Sequence, residues 1–113
     1  MRIGQLDDSE RRPITDHGSV GASVVPVARG EQVSVVQIEL EPDGVLGMHP
    51  AGVPQLFVVI AGEGTVRSGD GQPQLVAAGD AVWWDAGEQH ETRSGTGLIA
   101  LVVESPGLGP LFS

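Results

Sequence analysis

Gly44-Val45-Leu46-Gly47-Met48-His49-Pro50-Ala51-Gly52-Val53-Pro54-Gln55-Leu56-Phe57-Val58-Val59-Ile60-Ala61-Gly62 and, after a short hairpin, Gly79-Asp80-Ala81-Val82-Trp83-Trp84-Asp85-Ala86-Gly87-Glu88-Gln89-His90 are the two informative runs of this chain. Each pairs a glycine-bounded apolar strand with one histidine. Side chains alternate along a strand, so Gln55, Phe57, Val59 and Ala61 share one face, and only one of Trp83 and Trp84 can point inward.

Outward from these runs the same texture continues. Strand-like segments, most of them valine-bearing, recur at Val20–Ala28, Gln32–Leu40, Gln55–Ala61, Gly64–Ser68, Pro73–Val76, Ala81–Trp84, His90–Arg93 and Leu98–Val103. The 16 valines favour strands, because branched side chains fit a pleated surface. Arg29-Gly30, Pro42-Asp43-Gly44, Gly62-Glu63-Gly64, Gly69-Asp70-Gly71 and Ala78-Gly79-Asp80 read as turns between them. No segment keeps a helical period. Short strands without helices predict an all-β fold, an antiparallel sandwich or barrel. The expected organisation is an N-terminal arm over 1–19, a barrel over 20–104 and a tail over 105–113.

Composition narrows the function. At 113 residues one domain is expected. The net charge is −9 and all six basic residues are arginine, which leaves no basic stripe to neutralise phosphates, so a nucleic-acid partner is not expected. Without cysteine there is no thiolate nucleophile, disulfide or cysteine-held metal; histidine, amide or carboxylate must hold any ion. The N-terminus lacks the apolar core of a signal peptide, and Leu56–Ala61 and Leu98–Val103 are too short to cross a bilayer as helices. No membrane partner and a cytoplasmic location are the expectation. Apolar residues on both faces of Gln32–Leu40, with Leu108, Leu111 and Phe112 in the tail, predict a homodimer.

The two opening runs resemble the two sequence motifs of the cupin superfamily. Gly44, His49, Gln55 and Gly62 fall at places of the first motif, with Ala51 where its second histidine stands and Gln55 at its glutamate. Gly79, Gly87 and His90 match the second, with Asp85 for its proline and Ser94 for its asparagine. The resemblance covers about half the chain and implies a small antiparallel jelly-roll barrel that holds a metal between histidine-bearing strands.

From that resemblance the metal-ligand candidates are His49, Gln55 and His90, and the small-molecule pocket adds Phe57 and Trp84. A set of two imidazoles and an amide favours zinc, nickel or copper over harder ions, and the amide brings no charge, so affinity is expected to be weak or absent. Asp85 and Glu91 are candidate general bases, with Glu91 pointing away from His90 as a surface charge, and His17 is expected in an exposed turn. Gln55 has a metal-free role as well, as a hydrogen-bond partner of His49 or His90. Three functions follow: binding of a small polar or acidic metabolite; a metal-dependent enzyme of dioxygenase, isomerase or decarboxylase type; or a structural scaffold.

Overall fold

Branched side chains and closely spaced turn residues build eight antiparallel strands among the described residues. The computed structural model describes residues 1–6 and 8–113; Asp7, within the expected arm, lies outside the described residues. The strands are β1 (Arg12–Ile14), β2 (Val20–Arg29), β3 (Ser34–Pro50), β4 (Gln55–Ser68), β5 (Gln74–Ala77), β6 (Ala81–Trp84), β7 (Gln89–Ser94) and β8 (Leu98–Glu104). β3 and β4 close the barrel. The first half of each pairs with β8 and the second half with β7, so the pairings run in a ring β3–β7–β4–β8–β3. β2 extends this ring beyond β3, β1 pairs with β2, and β5 and β6 pair with β4. No helix among the described residues is long and apolar enough to cross a membrane.

Two expected turns are corrected. Pro42-Asp43-Gly44 and Gly62-Glu63-Gly64 do not reverse the chain; they are corners inside β3 and β4, where Asp43 (φ 63°) and Gly62 (φ 80°) bend one strand from the β8 side to the β7 side. The bends carry the barrel's curvature. Near the second corner a register shift between Val59 and Ala61 takes Ala61 off the inner face, so Gln55, Phe57 and Val59 are buried while Ala61 is exposed.

The core lies within the ring. Leu40, Phe57, Val59, Ala100, Val102 and Trp84 are all almost wholly buried, and each comes from an inward position of its strand. The arm holds more structure than an arm suggests: β1 pairs along β2 despite Pro13, which an edge strand tolerates, and a 3-10 turn at Asp16–Gly18 crosses towards β3. On the outer side Arg11 bonds Ser23 Oγ (3.0 Å) and Glu39 (2.8 Å).

Candidate functional site

β3 and β7 pair so that His49 stands opposite His90. Gly47–Pro50 is the end of β3, so His49 is a strand residue. Leu46 and His49 are three residues apart, yet both line the same cavity. A register shift between them allows it.

The cavity measures about 200 Å³. His49, Gln55, Phe57, Trp84 and His90 all line it, together with Asp16, His17 and Glu104 at the polar end and Leu46, Ile38 and Val102 on the apolar walls. Larger grooves exist, including one of about 500 Å³ beside Leu75 and Arg93, but they are open surface features without the histidines. Five rings stand in a column: His17 to His49 (5.3 Å between centroids), His49 to His90 (4.3 Å), His90 stacked on Trp84 (4.1 Å), and Trp84 edge-on to Phe57 (5.3 Å). Trp84 is the inward tryptophan; Trp83 is half-buried and donates its Nε1–H to Asp85 at 3.0 Å.

The two central imidazoles are fixed by the same device. His49 Nδ1 donates to the Gly47 carbonyl at 2.7 Å, and His90 Nδ1 donates to the Glu88 carbonyl at 3.1 Å. In the neutral ring this leaves Nε2 as an acceptor. Glu88 is itself held, its carboxylate accepting from the Asp85 N–H and from Ser68 Oγ. Burial pushes the His90 pKa below its ordinary value, outweighing the hydrogen bond to Glu88. His90 is therefore neutral at pH 7. Its Nε2 is buried and has no hydrogen-bond partner among the described residues.

Gln55 faces neither histidine with its N–H groups: its Nε2 donates to Glu104 Oε1 at 2.5 Å, from the directly opposite position on β8. The expected bond to His49 or His90 is replaced by this one. A carboxylate thus remains at this level of the barrel, carried one strand over by Glu104. The donor set offers two imidazoles and an amide oxygen, and no three His, Asp or Glu side chains among the described residues come together to hold an ion. It falls short of a complete metal centre.

The candidate bases lie elsewhere. Asp85 is exposed and outside the cavity lining. Glu91 does sit on the opposite face from His90, but it is a buried charge rather than a surface one: Arg93 (2.9 Å) and Arg67 (3.5 Å) pair with it, and their hydrogen bonds hold its carboxyl below the usual range. His17 is exposed and in a turn, as expected, yet it also lines the cavity mouth. Sequence reasoning missed that role, and missed Asp16 and Glu104. One signal pointed to the first: Gly47 interrupts an apolar strand, which marks a close backbone approach.

Against known proteins, the family model for the cupin domain matches residues 36–104. Among solved structures, the polyketide cyclase RemF from Streptomyces resistomycificus superposes with a TM-score of 0.82 at 19% identity, over 100% of this chain and 87% of that one. A predicted oxalate decarboxylase from Thermotoga maritima gives 0.76 at 23% identity, over 90% and 98%. An RmlC-like cupin from Shewanella frigidimarina gives 0.71 at 23%, over 77% and 78%. At these identities the likeness is one of fold. No curated protein matches the sequence.

Proposed function

This chain belongs to the cupin domain family, and from that premise we propose that its cavity binds a small polar metabolite whose O–H or N–H groups donate to His90 and His49. The observation that carries the reading is the buried, unpartnered Nε2 of His90. Leaving such an acceptor unmade costs about 1–3 kcal/mol, which a ligand donor recovers on binding. The lining supports the polar over the acidic class. It contains the carboxylates of Asp16 and Glu104 and no arginine, so an anionic ligand meets like charge in the lining. At about 200 Å³ the space is below the roughly 300–1,000 Å³ of drug-sized pockets, which limits the ligand to a small ring or chain. Names such as polyketide cyclase and predicted oxalate decarboxylase among proteins of this fold are in keeping with a small organic ligand.

The test is calorimetric titration at pH 8 with matched sets of small phenols, polyols, amines and carboxylic acids. Donor-bearing neutral or cationic compounds should bind, and His90→Leu should abolish the heat. Tighter binding of the acids would sink the reading.

One observation favours a second function, that of a metal-dependent enzyme. Both imidazoles have Nδ1 tied to a backbone carbonyl and Nε2 free, the orientation that prepares histidine for a metal. With the uncharged Gln55 amide oxygen as the third donor, a zinc, nickel or copper ion would be held weakly. Elemental analysis of protein purified without chelator or affinity tag decides between the two; stoichiometric metal would put the enzyme first.

A further inference from the structure

Resting on the reading of this cavity as a ligand site, we propose that His17 is a ligand-binding residue of it, carried over the mouth by the Asp16–Gly18 turn. His17 stacks on His49 with an interplanar angle of 21° and extends the ring column towards solvent. The apolar Ile14, Val36 and Ile38 line the same cavity as this ring.

The backbone is built to keep the ring there. His17 has φ 60° and ψ 27°, a left-handed conformation that costs a non-glycine residue about 1 kcal/mol or more. Glycine would adopt it freely, and Gly18 beside it does so at φ 72°. An imidazole kept against that preference points to a use for the ring. The landing place on β3 is shaped for the turn. A Cβ at Gly47 would collide with the His17 carbonyl oxygen, so only glycine admits the turn at this depth. The Gly47 N–H then donates to Ser19 Oγ at 2.9 Å in a buried bond. Gly47 also gives its carbonyl to His49 Nδ1. One glycine therefore seats His17 and orients His49, which couples the turn to the histidine beneath it.

With the ligand's inner end bonded to His90, the His17 imidazole contacts its outer end and narrows the entrance. The experiment uses full-length protein carrying Trp83→Phe, which leaves Trp84 as the single tryptophan. His17→Gly removes the ring and keeps the left-handed backbone, so the fold is retained, as urea denaturation verifies. Two quantities are then compared with the parent: acrylamide quenching of Trp84, and the calorimetric Kd for catechol, a flat ring with two O–H donors, in the presence of EDTA. Quenching should increase in His17→Gly, and catechol should bind about fivefold to tenfold more weakly, the worth of one lost contact. Gly47→Ala, which displaces the turn, should reproduce both changes. Equal catechol affinity in parent and His17→Gly, or unchanged quenching, overturns the role of His17 while leaving the site intact. Failure of catechol to bind the parent overturns the reading of the cavity, and this inference with it.

Discussion

His90 is the residue on which most of the site's chemistry turns, and its burial makes a stability prediction with a definite sign. The folded pKa lies below the ordinary 6.5, so as pH falls through 6.5 the unfolded chain takes up a proton that the folded imidazole refuses. Stability is full above that pH, declines below it, and the decline ends once the folded ring is protonated. Glu91 acts in a separate window: its carboxyl is held below 4.5 by Arg93 and Arg67, so the stability it contributes is present above 4.5 and is lost further down. Urea denaturation across pH 8 to about 5 should therefore show a slope that His90→Phe flattens. An unchanged slope would mean that the ring takes up its proton alike in the folded and unfolded states. Gln55 makes the second residue-scale prediction. Its amide donates to Glu104, so Gln55→Glu sets two carboxylates at hydrogen-bond distance and should cost about 1–3 kcal/mol at pH 7. The loss should shrink on acidification, as one of the pair takes a proton, and millimolar zinc should restore it. A variant as stable as the parent at pH 7 would show that the bond to Glu104 is not made in solution. The same pair explains why an amide stands where the family motif has glutamate: the neighbouring strand already brings the negative charge.

At the scale of elements, the strands were legible because their signals are local. Branched or aromatic residues between turn signals locate β2, β5, β6, β7 and β8 within one or two residues at either end. The long strands were not, because Pro42-Asp43-Gly44 and Gly62-Glu63-Gly64 have the composition of a turn whether the chain reverses there or only bends. Pairing with β7 and β8, far along the chain, makes that choice. The pocket followed the same division. His49, Gln55 and His90 were readable from their spacing in the motif, whereas His17 reaches the site through the path of the arm, which no local pattern encodes. Close strand approach also makes a prediction at this scale. Gly64 lies in β4 against β7, and a Cβ there would collide with the Arg93 carbonyl oxygen; Gly52 has open space around it, and neither has a positive φ. Gly64→Ala should cost about 1–3 kcal/mol or more through overpacking, and Gly52→Ala should stay within about 0.5 kcal/mol. Similar denaturation midpoints for the two variants would show that β4 and β7 can part without penalty.

For the whole molecule, the question is where the remaining apolar surface goes. The face of β3 from Val35 to Leu40 is largely covered within the chain, since every residue there is buried or half-buried and Arg11 crosses to Glu39. Exposed apolar side chains remain singly at Ile3, Val20, Ile60 and Leu75, and together at the tail and the end of the β2–β3 hairpin. The tail is anchored at its root, where the Ser105 N–H bonds the Pro54 carbonyl and a turn closes from Leu108 back to Ser105, and it then presents Leu111 fully and Phe112 about half to solvent. Val27 and Val33, 40% and 39% exposed, flank the hairpin end. An anchored segment that displays two large apolar side chains loses little further entropy on docking, so a second copy of the chain is the partner we expect, in a two-fold homodimer. Each subunit carries a charge of −9, which opposes association. The dimer should therefore strengthen as salt rises and screens that repulsion, the reverse of an assembly held by opposite charges. Sedimentation equilibrium at high micromolar concentration should give twice the chain mass, with a dissociation constant that falls between about 0.05 and 0.5 M sodium chloride as the Debye length shortens. The paired change Leu111→Asp with Phe112→Asp should return the protein to monomers while leaving its thermal unfolding as a folded barrel. A parent protein that sediments as a monomer under these conditions would refute the assembly, and a variant that stays dimeric would move the interface away from the tail.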